Sequence, residues 1–97
     1  MSRENILQEA DKITDGDREK CYGSPLHDFT RVAKLWSVIL GAEVKPEHVA
    51  LCMIQIKISR EINKHKRDNL VDIAGYARVL EKLLDEERHN LLYKWSI

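Results

Sequence analysis

The sequence has little of what marks secreted, membrane-spanning or polyanion-coating proteins. It contains two cysteines without CxxC or Cys/His spacing, which argues against a disulfide scaffold or zinc site and predicts reduced thiols. No apolar run approaches the ~18 residues of a membrane span, and no signal-peptide core follows Met1, so we expect a cytoplasmic protein without membrane contact. The 16 basic and 16 acidic residues balance to a net charge of zero. We therefore expect no nucleic-acid polymer as partner.

A short, highly charged globular chain is what remains. Its 97 residues allow one domain, residues 1–97, and 33% charged with 43% hydrophobic residues is typical of folded proteins. A chain of this length buries only about 60–65% of its unfolded surface. A ligand pocket in it would therefore gain walls from a second subunit, so we expect a homo-oligomer.

Local signals divide the chain into helices with no β alternation between them. We predict four helices, over about residues 2–13, 25–40, 46–64 and 68–84, and an extension of the last one through 86–97. The predicted N-caps are Ser2, Ser24 and Asp68, the helix-opening prolines are Pro25 and Pro46, and the terminating glycine is Gly41. Residues 14–17 carry a strong turn signal. The fold class is all-α, a small bundle of about four helices.

The second and third helices differ in how their apolar residues are distributed. The second has one apolar face, made by Phe29, Val32, Ala33, Trp36, Ile39 and Leu40. The third is apolar nearly all round, which is typical of a helix that is central or wedged between subunits. Cys52 lies within this stretch and is predicted to be a small core residue.

A basic stripe extends the apolar side of the third helix. Lys57, Arg60 and Lys64 share this stripe at about 100° per residue, continuing the side that carries Val49 and Met53. Cations near a helix C-terminus are favoured by the helix dipole, and an enclosed cation there is suited to an anionic ligand. The alternative is that these cations pair with acids of a neighbouring helix.

The fourth helix carries a polar flank beside its core face. Asp68, Asp72 and Tyr76 fall at i, i+4 and i+8, with Asn69 next to them. Gly75 lies near the flank, and a mid-helix glycine costs about 1 kcal/mol relative to alanine, which suggests close approach of a backbone or a ligand. The alternative reading makes Asp68 a cap and Asp72 a partner of Arg60.

An aromatic residue precedes the second helix, at Tyr22-Gly23-Ser24-Pro25. Backbone N–H groups at a helix N-terminus favour an anion, and an aromatic ring can stack on a base. Arg18 and Lys20 add positive charge nearby. These three side chains are therefore further candidates for nucleotide binding.

Spaced motifs across residues 5–84 resemble a family of small phage-encoded proteins of undetermined function. The motifs are Tyr22-Gly23-Ser24-Pro25, Leu35-Trp36, residues 53–60 and residues 68–76. That family is distantly similar to the all-α MazG nucleoside triphosphate pyrophosphatases, whose helix-borne carboxylates hold Mg²⁺ on the phosphates. Here the third helix instead offers Gln55, Lys57, Arg60 and Glu61, while Asp68 and Asp72 supply the second acidic element. Two acids opposite two cations are too few for such a site.

These observations favour nucleotide binding without catalysis and without a cofactor. In this hypothesis Lys57 and Arg60 contact phosphate, Asn69 or Asp72 contacts the base or ribose, and Tyr22 or Tyr76 stacks on the base. In size and class the chain is similar to phage sponge proteins of the anti-CBASS type, which implies sequestration of a cyclic di- or oligonucleotide immune signal in the host cytoplasm.

Two alternatives remain open. The first is a MazG-like, Mg²⁺-dependent nucleoside triphosphate pyrophosphohydrolase in which Glu61, Asp68 and Asp72 hold the metal. The second is a helical interaction module without a ligand, whose charges only pair with one another.

Overall fold

A computed structural model of the chain describes residues 3–17 and 24–96, with side chains over 3–15 and 24–86. The backbone forms α1 (Ile6–Lys12), a π-helical segment (Ile13–Asp17), α2 (Pro25–Leu40), α3 (Pro46–Asn63) and α4 (Arg67–Ser96). Within the described ranges there is no strand, so the all-α class, the four helices and the continuation of the last helix are confirmed. None of these described helices is both long enough and apolar enough to cross a bilayer.

The ends of α2 follow their sequence signals closely. The Ser24 hydroxyl accepts a hydrogen bond from the His27 N–H at 3.3 Å, and Pro25 is the first helical residue. Gly41 ends the helix with a φ of 64°, a left-handed conformation that glycine adopts without strain. The Ser37 hydroxyl then accepts from the Val44 N–H at 2.8 Å. This bond fixes the short connection to α3.

The N-terminal helix departs from its prediction at both ends. It begins at Ile6, where Asn5 is the N-cap in a reciprocal capping box with Gln8; the predicted cap Ser2 lies outside the described residues. Residues 14–17 are π-helical rather than a turn. The reason is Thr14, which is 1% exposed and whose hydroxyl donates to the Ala10 carbonyl at 2.7 Å. Burial of this side chain keeps the chain winding through turn-prone residues.

The core lies where α2, α3 and α4 meet. Its buried members are Phe29, Ala33, Val49, Ala50, Val79 and Leu83. Helix α1 packs on α4 and adds Ala10 to the buried set. Arg67, the first residue of α4, bonds to the Glu9 carboxylate and to the Glu4 carbonyl, which ties α1 to the start of α4.

Three predicted core positions are wrong. Cys52 is exposed, because the neighbours of α3 cover only the side that carries Val49 and Ala50. At the end of α2, Ile39 and Leu40 are also exposed, although the helical period placed them on the apolar face. Helix α3 therefore contacts both α2 and α4 but keeps one apolar side open.

Candidate functional site

A pocket of about 300 Å³ lies where α3 ends and α4 begins. We call it the basic pocket. Its lining residues are Ser59, Arg60, Asn63, Lys64, Lys66 and Asn69. Two of them, Arg60 and Asn69, were predicted site residues, and Lys64 belongs to the predicted basic stripe. The end of one helix and the start of the next therefore place three cations around one opening.

The cations of the basic pocket are available to a ligand. Arg60, Lys64 and Lys66 are exposed, and none of them forms an ion pair with another described residue. No carboxylate lines the pocket. An anion entering it would therefore gain charge-assisted hydrogen bonds without displacing an existing salt bridge.

Glu61 organises the chain reversal between α3 and α4 (residues 64–66), next to this pocket. Its carboxylate accepts from the Lys66 N–H at 2.9 Å and from the Asn69 amide at 3.1 Å, and it contacts the His65 ring. The bond to His65, followed by the bonds to Lys66 and Asn69, lowers the pKa of Glu61 to about 2. The carboxylate is thus ionised at neutral pH and holds Asn69, which is 7% exposed, at the pocket wall.

The α4 N-terminus therefore differs from its prediction. The helix begins at Arg67, and Asp68 lies exposed in its first turn instead of acting as the N-cap. The Lys66 N–H, just before the helix, donates instead to the Glu61 carboxylate of α3. No pattern within residues 65–70 indicates this bond, because its acceptor Glu61 lies five residues before Lys66, on α3.

Lys57 and Asp72 neutralise each other between α3 and α4. Their charged atoms are 3.0 Å apart, and the Lys57 side chain is only 16% exposed. For Lys57 the alternative of pairing with a neighbouring helix is confirmed. The predicted pair between Asp72 and Arg60 is wrong, because the carboxylate reaches Lys57, one turn earlier on α3.

A second, smaller cavity of about 80 Å³ lies between the N-terminal segment and α4. We call it the apolar cleft, and its walls are Ala10, Ile13, Thr14, Val71, Asp72, Gly75, Tyr76 and Val79. The Tyr76 ring lies 6.3 Å from that of Phe29, centroid to centroid. A Cβ added to Gly75 would meet only the Thr14 hydroxyl, at 3.8 Å, which is an ordinary contact. A close approach of backbone is therefore not what requires glycine here.

The structure distributes the predicted site residues over these two cavities. Arg60 and Asn69 line the basic pocket, whereas Asp72 and Tyr76 line the apolar cleft. Lys57 belongs to neither lining but forms an ion pair with Asp72, a residue of the cleft. Arg18, Lys20 and Tyr22 lie outside the described residues.

Sequence reasoning missed some members of both cavities. Lys66 and Asn63 were not among the predicted site residues, although the density of cations in residues 63–67 was a usable signal. Thr14 lines the cleft because the π-helical segment continues over α4, whereas its sequence signal indicated a turn.

The acids proposed for a metal in the hydrolase alternative do not converge. Over the described ranges, no three His, Cys, Asp or Glu side chains are grouped so that they could hold a metal ion. Glu61 is bonded to the chain reversal and Asp72 to Lys57, while Asp68 is exposed. The arrangement is suited to binding an anion rather than to holding a cation.

Comparison with known proteins finds relatives of this chain among phage proteins. The chain is 44% identical over 89 residues to the Gene 55 protein of Mycobacterium phage L5, which covers 88% of the chain and 57% of that protein. It is 39% identical over 94 residues to the Gene 55 protein of Mycobacterium phage D29, which covers 96% of the chain and 62% of that protein. The chain thus spans about three fifths of these relatives. No solved structure matches it.

The family assignment agrees with the extent of the sequence motifs. Residues 5–84 match a domain of unknown function, DUF6378. This range runs from the N-cap of α1 through the part of α4 that lines both cavities. The chain belongs to the DUF6378 family, a family with phage-encoded members whose function is not established.

Proposed function

We propose that this protein binds a nucleotide through its phosphates and sequesters it without turnover. The observation that carries the proposal is the lining of the basic pocket, which holds three cations and no carboxylate. Arg60 offers a planar fork that matches phosphate oxygens, and two lysines add point charges. Asn69, held by Glu61, adds a polar wall at the same opening.

The apolar cleft is the proposed place for the base. It lies one to two turns further along α4, where Tyr76 offers an aromatic surface and Asp72 a hydrogen-bond acceptor. Tyr22, Arg18 and Lys20 stay in the proposal as residues that precede α2 and add a second ring and further charge. Because Lys57 is engaged with Asp72, we assign it a supporting role and give the phosphate contacts to the basic pocket.

Sequestration, rather than hydrolysis, is favoured by the distribution of acids. Metal-assisted phosphoryl chemistry needs several convergent carboxylates, and Glu61 and Asp72 are each bonded elsewhere. The phage origin of the relatives supports a ligand that a phage gains from removing. We therefore propose a cyclic di- or oligonucleotide of host defence as the ligand, bound in the host cytoplasm with no cofactor.

A thermal-shift screen with mononucleotides and cyclic di- and trinucleotides tests this function. A ligand present at 100 times its Kd should stabilise the fold by about 2.7 kcal/mol. Each ligand that binds is then incubated with the protein and Mg²⁺, and the products are separated by chromatography. Return of the intact nucleotide after denaturation supports sequestration.

Two results would contradict the proposal in different ways. Rapid conversion of a nucleoside triphosphate with Mg²⁺ would establish the MazG-like hydrolase instead. Absence of a shift with every nucleotide would favour the interaction module, a candidate supported by the exposed apolar side of α3.

A further inference from the structure

One side of α3 is exposed and almost uncharged. Nine residues between positions 51 and 63 are exposed, and Arg60 alone among them carries a charge. The other eight form what we call the neutral face: Leu51, Cys52, Gln55, Ile56, Ile58, Ser59, Ile62 and Asn63. In a chain that is 33% charged, such a face is unusual for a surface that meets only water. Depletion of charge is typical of the centre of a protein interface.

The apolar side chains of the neutral face form a helix-packing seam. Leu51, Gln55, Ile58 and Ile62 follow one another at intervals of four, three and four residues, which is the spacing of a heptad seam. The three aliphatic members are 47%, 44% and 82% exposed, respectively. No described element of the chain therefore packs over this seam.

The spacing of the seam also indicates what covers it. The intervals four, three and four read the same in both directions, so the seam is complementary to itself in antiparallel orientation. A twofold axis between Gln55 and Ile58 would set Leu51 against the partner subunit's Ile62 and Gln55 against the partner subunit's Ile58. An isologous contact needs this self-complementarity, whereas a different partner does not. The absence of charge on both copies also removes electrostatic repulsion.

We propose that the neutral face binds a second copy of this chain, α3 against α3 in antiparallel orientation. Gln55, the polar member, lies near the twofold axis, where a polar side chain within an apolar seam fixes the register. Ser59 and Asn63 belong both to the neutral face and to the lining of the basic pocket, so each of the two basic pockets would lie at the edge of the dimer interface. The proposal does not depend on nucleotide binding.

Sedimentation analysis of the intact chain is the first test. We expect a concentration-dependent dimer for the unmodified protein and at least a tenfold weaker association for Ile62→Glu, because a charge would face an apolar layer. Leu7→Lys is the matched control, since Leu7 is 71% exposed on α1, outside the neutral face, and should leave the dimer unchanged. Circular dichroism confirms that each variant is folded. A monomer at every concentration, or an Ile62→Glu variant that still dimerises, would overturn the proposal.

A charge-pair rescue tests the orientation. Leu51→Lys and Ile62→Glu should each weaken the dimer, and the double variant should recover most of the association, since each new lysine then faces the partner's new glutamate. Within one chain these positions are about 16 Å apart along the helix, too far to pair with each other. In a parallel dimer position 51 would face itself, and the double variant would stay monomeric. That outcome would refute the antiparallel arrangement.

Discussion

The basic pocket and the apolar cleft lie about one helical turn apart on α4 but differ in whether their charged side chains are paired. Asn69 lines the first, where Arg60, Lys64 and Lys66 have no carboxylate among the lining residues. Asp72 lines the second, where Lys57 already neutralises the carboxylate at 3.0 Å. A cation is thus available to an anionic ligand only where no neighbouring helix supplies its counter-ion. This contrast separates the anion-binding groups from the structural ones.

The largest effect should come from removing the cations of the basic pocket. Arg60→Ala combined with Lys64→Ala should weaken nucleotide binding roughly a hundredfold, or about 3 kcal/mol, because each charge-assisted bond to phosphate contributes about 1.5–3 kcal/mol. Isothermal titration calorimetry measures this. Lys34→Ala removes an exposed lysine of α2 that lies outside the pocket and should leave the affinity unchanged. Equal affinity in all three proteins would remove the basic pocket from the site.

Breaking the ion pair at the cleft should act on stability instead. Lys57→Ala should lower the free energy of unfolding by about 1–2 kcal/mol, because it leaves the partly buried Asp72 carboxylate without its partner. Urea denaturation measures the loss, and the Lys57→Ala/Asp72→Ala double variant should recover part of it. If Lys57→Ala instead keeps its stability and loses phosphate affinity, Lys57 binds the ligand and is not a structural partner of Asp72.

Filling the apolar cleft should have a smaller effect that acts in two directions. Gly75→Ala should raise the free energy of unfolding by about 0.5–1 kcal/mol, since alanine favours the helix and its Cβ meets only an ordinary contact. The same methyl group takes space in the cleft and should reduce nucleotide affinity. Denaturation and calorimetry on one preparation check both. A more stable variant with unchanged affinity would show that the base lies elsewhere.

The smallest expected effect, that of Glu61→Gln, appears in how stability depends on pH rather than in stability at one pH. The depressed pKa of Glu61 means that its stabilising effect is complete above the usual carboxyl pKa of 4.5 and is lost as the pH falls towards about 2. Glu61→Gln should therefore flatten the loss of stability between pH 4.5 and 2, as followed by thermal denaturation. Glu43→Gln, at an exposed carboxylate in the α2–α3 connection, should retain the slope of the unmodified protein.

Local chemistry predicted much of the fold and less of the site. Ser24, Pro25 and Gly41 mark the ends of α2 because capping depends on neighbouring residues only. Cys52 was misplaced because apolar composition does not show which side of α3 a neighbour covers.

The site was predicted by residue type but not by pairing. Arg60 and Asn69 do share a cavity, as their chemistry suggested. The Lys57–Asp72 pair depends on the register of α3 against α4, and the cleft depends on how residues 13–17 wind over α4. Both are long-range properties that spacing along one helix does not contain.

The reach of Glu61 sets a limit on how the chain reversal can vary. One of its carboxylate oxygens receives both the Lys66 N–H and the Asn69 amide, while the other contacts His65. An aspartate at this position is one methylene shorter, and an inserted residue after Asn63 would lengthen the gap. Members of this family with either change would need a different anchor for the start of α4, so loop length and side-chain length at these positions should vary together.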